Sequence, residues 1–216
     1  MKLFQYDHCP FCVRADMVAK YKRVNFEPVY LLNDDADSCI ERVGKKMVPI
    51  LEIDGQSMGE SLDIAHKLDE LGGADQVIAE GGDSDRFTQP LMSVNRAIFS
   101  LLFPRNVQID LPEFATQSAI DFYRVNKEAM IECSFEQALE NTQEHIASVE
   151  QALNEIPKLV KPSDRGGLLS WDDVMIFPML RNLTVVKGLQ MPSQVIDYIN
   201  EVAGLTNVEL YTDRAI

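Results

Sequence analysis

Two cysteines, Cys9 and Cys12, stand where a short β-type run passes into a helical one. No other stretch constrains the fold as tightly. Lys2–Tyr6 reads as a strand. Pro10–Lys22 reads as a helix, with Val13, Met17 and Val18 near helical spacing and Pro10 suited to the first helical position. Cys9 then falls at about the N-cap, with Cys12 on the same face, so the two sulfurs can meet. The free N–H groups and positive dipole end of the helix favour a thiolate on Cys9. A thiolate is the attacking species in disulfide exchange, and a lowered pKa also makes it a good leaving group. Pro10 stiffens the loop, and Phe11 is expected to give an apolar wall beside the pair. Asp7 opposes the thiolate and Arg14 supports it. His8 either tunes Cys9 or faces solvent.

The strand–Cys-X-X-Cys–helix context favours a redox dithiol. Metal ligation and inert structural cysteines are the alternatives. Tetrahedral zinc would need two further Cys or His ligands, and Cys39 and Cys133 form no second pair, so no metal is expected. Those two cysteines are expected to pack as small hydrophobes. His66 and His145 read as ordinary helix residues.

Further along, Asn25–Leu32 reads as a second strand, Asp35–Val43 as a short helix ending at Gly44, and Pro49–Ile53 as a third strand. Asp54-Gly55 signals a hairpin into a partner strand, Gln56–Met58. Ser61–Leu71 reads as a helix stopping at Gly72-Gly73. The order β-α-β-α-β-β-α argues an α/β unit with a mixed sheet. Gly72–Gly82 holds four of the eleven glycines and reads as a connector. Beyond it strand signals are scarce, and Ser84–Phe103, Glu113–Ala129, Ser134–Ile156, Ser170–Val186 and Ser193–Ala203 all read as helical. The division expected is 1–72 for the α/β domain, 73–83 for the linker and 84–216 for an all-helical domain. In Leu169-Ser170-Trp171-Asp172-Asp173-Val174, Ser170 and Asp173 fit a capping box, and Leu169 and Val174 a hydrophobic staple.

The net charge is −14, which repels phosphate backbones and anionic membrane surfaces. Nucleic-acid and membrane partners are therefore not expected. No apolar run approaches the ~20 residues of a membrane span. The first residues do not read as a signal peptide, and a cytoplasmic location is expected.

With the motif and domain order in hand, the whole chain resembles the glutaredoxin 2 family, two-domain bacterial glutaredoxins built like glutathione transferases. Lys2-Leu3-Phe4-Gln5-Tyr6-Asp7-His8-Cys9-Pro10-Phe11-Cys12 is similar to the family's opening strand and active site, with Phe11 where Tyr is usual. The resemblance implies a thioredoxin-like first domain and a glutathione-transferase-like second. It implies a cis peptide at Val48–Pro49 within Lys46-Met47-Val48-Pro49-Ile50-Leu51, and a Val48 backbone that pairs with the cysteine unit of glutathione. Gly59-Glu60-Ser61 resembles the site for the γ-glutamyl end. There the helix N-terminus and Ser61 would meet the carboxylate, and Glu60 the ammonium. From the residues alone, Ser61 reads equally as a plain N-cap. Ser170-Trp171-Asp172-Asp173 is similar to the capping motif of the helical domain.

The implied activity is glutathione-dependent reduction of mixed and protein disulfides, with Cys9 as nucleophile and Cys12 as resolving thiol. Glutathione is the co-substrate, Phe11, Val48, Pro49, Glu60 and Ser61 are its contacts, and the chain acts as a monomer. Two rivals are weighed. A glutathione transferase acting on electrophiles would not need the second thiol. An iron–sulfur or metal carrier would suit a monothiol motif better.

Overall fold

The computed structural model describes residues 1–216. The first half runs β1 (Lys2–Gln5), α1 (Pro10–Tyr21), β2 (Glu27–Tyr30), α2 (Asp37–Val43), β3 (Ile50–Ile53), β4 (Gln56–Met58) and α3 (Ser61–Leu71). The strands form one sheet in the order β2-β1-β3-β4. β1 pairs parallel with β2, with Leu3 opposite Pro28, and antiparallel with β3, with Leu3 opposite Leu51. β2 lies on an edge, the one place in a sheet where Pro28 is tolerated. The β3–β4 turn places Asp54 and Gly55 at φ 51° and 80°, the positive angles an Asp-Gly hairpin turn requires. Gly44 ends α2 at φ 75°.

Alternation along β1 divides the first half into two layers. Leu3 joins the main core with α1 and α3, whereas Phe4 and Tyr6 join a small cluster with Leu31, Cys39 and Ile50. Helix α1 buries Cys12, Val13, Ala15, Met17, Val18, Ala19 and Tyr21. It is covered on nearly all sides because it packs on α3 and also on two helices of the second half, and a helix apolar all round belongs inside a protein.

The second half is helical: α4 (Asp85–Ser93), α5 (Asn95–Asn106), a 3₁₀ turn (Pro112–Phe114), α6 (Gln117–Ile131), α7 (Phe135–Glu140), α8 (Thr142–Glu155), a 3₁₀ turn (Pro162–Arg165), α9 (Trp171–Leu183), α10 (Ser193–Thr206) and a closing 3₁₀ turn (Thr212–Arg214). Three segments differ from the periodicity. Ser84–Phe103 breaks at Val94, where the Ser93 hydroxyl donates to the Pro90 carbonyl at 2.6 Å and the Val94 N–H turns to Leu91 instead. A side chain thus occupies the acceptor the helix would have used. Ser134–Ile156 breaks at Asn141, whose N–H bonds Gln137 while its carbonyl opens α8. Glu113 lies in a 3₁₀ turn after Pro112, and α6 starts later, capped by Thr116. No helix is long and apolar enough to cross a membrane.

The halves share one hydrophobic cluster of 45 residues, from Leu3 through α1 and α3 into α4–α10. The connector packs as well. Tyr21 and Lys22 donate to the carbonyls of Val77 and Gln76 at 2.8 and 2.6 Å. Ala79 bonds Leu169 and Trp171 through its N–H and C=O at 2.7 and 3.2 Å. The ring of His66, on α3, lies 4.2 Å from that of Trp171, on α9. The box at the start of α9 has both reciprocal bonds, Asp173 N–H to Ser170 Oγ at 3.3 Å and Ser170 N–H to Asp173 Oδ2 at 2.9 Å.

Candidate active site

Cys9 occupies the N-cap of α1 with extended backbone (φ −77°, ψ 117°), and no side chain caps the helix. Its sulfur is left to meet the free N–H groups of the first turn, the anion-favouring end of a helix. The Cys9 thiol is lowered from 9.0 to about 7. The largest cause is a hydrogen bond from Cys12; burial opposes it, and the charge of His8 and the N–H groups of Cys12 and Phe11 assist. Cys12 moves the other way. Burial, together with its donation to Cys9, pushes it well above 9.0, although the Tyr6 N–H donates to its sulfur at 3.4 Å. Both cysteines are free thiols.

The flanking residues refine the expectations. Phe11, between the two cysteines, is 51% exposed, with the Arg14 guanidinium 4.9 Å from its ring centroid. Asp7, expected to oppose the thiolate, is held by Arg181 and Tyr211. Arg181 Nη2 donates to Asp7 Oδ1 at 2.9 Å, Nη1 donates to the Asp7 carbonyl at 2.8 Å, and the Tyr211 hydroxyl donates to Oδ1. Burial alone would raise the Asp7 carboxyl, but these partners hold it below 3.8. Its charge is therefore compensated before it reaches the sulfur. His8 does not face solvent, its side chain being 12% exposed.

The residues the sequence reading missed lie in the helical half. Glu113 Oε1 accepts from the His8 backbone N–H at 3.0 Å and lies 2.5 Å from His8 Nδ1. Asn182 donates to the His8 carbonyl at 2.7 Å. Lys127 on α6 sits over Phe103 and Tyr123; burial lowers it, and the charge on Cys9 raises it again. Every polar backbone group from the Asp7 carbonyl to the His8 carbonyl is thus tied to the second half. Local spacing carries no trace of these partners.

Val48–Pro49 is cis. Glu60 (φ 65°) is the N-cap of α3, and Ser61 the first helical residue. Ser61 is therefore no N-cap, and no side chain caps α3, which leaves its first N–H groups open to an anion. Glu60 pairs with Lys45 at 2.9 Å, both side chains more than half exposed, a weak pair in water. Lys46 spans the seam, 5.8 Å from the Tyr6 ring and 4.7 Å from Phe122. A crevice of about 260 Å³ opens on the Asp7 side, between Tyr30, Arg181 and Glu209, and neither Cys9 nor Cys12 lines it.

The arrangement offers one activated thiol, a second thiol behind it and an open helix start on a neighbouring element. Comparison with known proteins identifies the family. Residues 88–215 match the family described as glutaredoxin 2, C-terminal domain, and residues 3–76 match the glutathione S-transferase N-terminal domain. Glutaredoxin 2 of Escherichia coli strain K12 is 39% identical over 218 residues, covering 100% of both chains, and so is that of E. coli O157:H7. The crystal structure of glutaredoxin 2 from Salmonella typhimurium in complex with glutathione has a TM-score of 0.89 at 36% identity, covering 100% of this chain and 98% of that one. Glutathione transferase Omega 3C from Trametes versicolor has a TM-score of 0.58 at 13% identity, over 97% of this chain and 88% of that one, a likeness of fold alone.

Proposed function

The chain belongs to the glutaredoxin 2 family, and from that premise we propose that it reduces mixed and protein disulfides with glutathione, Cys9 being the nucleophile and Cys12 the resolving thiol. The Cys9 thiolate attacks one sulfur of the disulfide. A bond forms to Cys9, the old S–S bond breaks, and the departing sulfur leaves as a thiolate that takes a proton from solvent. With a glutathionylated protein, attack on the glutathione sulfur frees the protein thiol. A second glutathione thiolate then attacks the glutathionylated Cys9, releasing glutathione disulfide and the Cys9 thiolate. With a protein disulfide, Cys12 loses its proton and displaces the substrate from Cys9, leaving a Cys9–Cys12 disulfide that two glutathione molecules reduce in turn.

The observation that supports these roles most is the opposed pair of thiols, Cys9 lowered to about 7 and Cys12 raised well above 9.0. The lower one attacks and leaves readily. The higher one stays protonated and donates to its partner until needed. For glutathione, the Val48 backbone before Pro49 pairs strand-fashion with the cysteine unit. The open N–H groups of α3 and the Ser61 hydroxyl take the γ-glutamyl carboxylate. Glu60 exchanges Lys45 for the ammonium, and the exposed Phe11 ring flanks the thiol. Residues 1–72 carry this chemistry, 73–83 connect, and 84–216 buttress; the chain acts as a monomer.

The test is glutathione-coupled reduction of a mixed disulfide by wild type, Cys9→Ser and Cys12→Ser. Activity is expected to vanish without Cys9 and to persist largely without Cys12, because glutathione resolves the monothiol intermediate. Full activity in Cys9→Ser would falsify the assignment.

A further inference from the structure

We infer that Glu113 is a positioning residue for the reaction at Cys9: from the helical half, it seats the imidazole of His8, the residue next to Cys9, and so sets the surroundings of the sulfur. The inference rests on the reading of Cys9 as nucleophile. Glu113 is wholly buried, and Oε1 alone makes both bonds to His8, to the backbone N–H and to Nδ1. Oε2 is buried too and has no hydrogen-bonding partner in the protein. Burying a carboxylate with one oxygen unmatched is unfavourable. The structural fastening at this point does not need it, because the Glu113 backbone carbonyl already accepts from the Asn33 N–H at 2.9 Å.

The His8 ring has little freedom. Tyr6 stacks on it at 5.9 Å, Phe114 stacks at 5.2 Å, and Tyr123 meets it edge-on at 5.2 Å. Nδ1 points to the carboxylate, which fixes a proton there, and the next residue in the chain is Cys9. The carboxylate therefore orients the ring of the residue that immediately precedes the sulfur-bearing Cys9. The charge of His8 is among the causes that lower the Cys9 thiol, after the Cys12 hydrogen bond. Other groups also face this region. Arg14 on α1 and Lys127 on α6 are the cations near Cys9. Tyr6, Tyr123 and Cys12 are close to both Cys9 and Glu113, and Tyr30 and Tyr211 are close to Glu113. Neither cation bonds Glu113, whose side-chain hydrogen bonds go to His8 alone.

The experiment is the pH profile of Cys9 alkylation by iodoacetamide in the full chain, for wild type, Glu113→Gln, His8→Gln and the double variant, with Cys9→Ser as control and a melting curve for each. Wild type is expected to titrate near 7. Glu113→Gln and His8→Gln are each expected to raise the midpoint by about one unit, the scale of a nearby opposite charge. The double variant is expected to match His8→Gln alone. A carboxylate that only fastens the halves would lower the melting temperature and leave the midpoint in place. An unchanged midpoint in Glu113→Gln, or an equal further rise when it is added to His8→Gln, overturns the inference. Should Glu113→Gln fail to fold, an unchanged midpoint in His8→Gln overturns it. A midpoint near 7 that survives in Cys9→Ser, where Cys12, Cys39 and Cys133 remain as free thiols, sinks the reading of Cys9 instead.

Discussion

Arg181 and Asp7, 174 positions apart, form a buried ion pair of 2.9 Å in which the guanidinium also holds the Asp7 carbonyl, the Tyr211 hydroxyl and the Glu209 carbonyl. One side chain of α9 thus fixes the loop that leads into Cys9. Arg181→Met leaves the largely buried Asp7 carboxylate without its cation, and removing one member of a buried pair costs about 3–5 kcal/mol. The variant is expected to unfold at markedly lower denaturant concentration. A midpoint within error of wild type would show that the pair contributes nothing net.

The same pair sets a pH dependence. The folded-state pKa of Asp7 is held below 3.8, so its ionised form is the one the fold stabilises. That contribution is complete above the ordinary carboxylate range and lost as pH falls through the depressed folded value. The stability difference between wild type and Asp7→Asn is expected to be constant from neutral pH down to about pH 5 and to shrink below about pH 4. Urea titrations at several pH values read it directly. A difference that grew on acidification would reverse the sign assigned to Asp7.

Cys12 is the largest cause of the low Cys9 value. Removing its donor in Cys12→Ala is expected to raise the Cys9 titration, followed by thiolate ultraviolet absorbance, by about one unit. Cys12→Ser keeps an O–H donor and is expected to raise it less. Equal shifts in the two variants would mean that the thiol acts by its bulk and not by donating.

At the start of α9, two residues of one capping box carry unequal loads. Ser170→Ala removes one cap bond and is expected to cost about 1 kcal/mol. Asp173 also receives Arg165 and the buried Tyr198 hydroxyl, the latter at 2.8 Å. Asp173→Ala leaves both without their acceptor and is expected to cost about 3 kcal/mol or more. Denaturant unfolding of the two variants compares them, and equal losses would reduce Asp173 to a cap alone.

Much of the first half was legible because its signals are local. The Asp54-Gly55 turn, Gly44 and the strand–Cys9–helix junction, and in the second half the Ser170–Asp173 box, each depend on neighbours within a few positions, and each appears in the structure. The breaks at Val94 and Asn141 were hidden, because apolar spacing continues across them and a hydroxyl or a turn carbonyl decides the matter. Glu113, Arg181, Asn182 and Lys127 could not be seen at all. Each acts on the Asp7–Cys9 segment from at least 104 positions away, and only packing shows that a charge within an apolar helix has an opposite number.

The connector between the halves has a consequence for anyone who would cut or exchange them. Gly72–Gly82 looks like a tether in composition, yet Tyr21, Lys22, Leu169 and Trp171 bond it from both sides. The helical half also covers α1 and grips the loop before Cys9. A fragment severed there would carry the dithiol but expose the back of α1. Transplanting the first half onto a foreign helical partner would have to bring matching replacements for Glu113, Arg181 and Asn182. The molecule is divisible in sequence and indivisible as a working part.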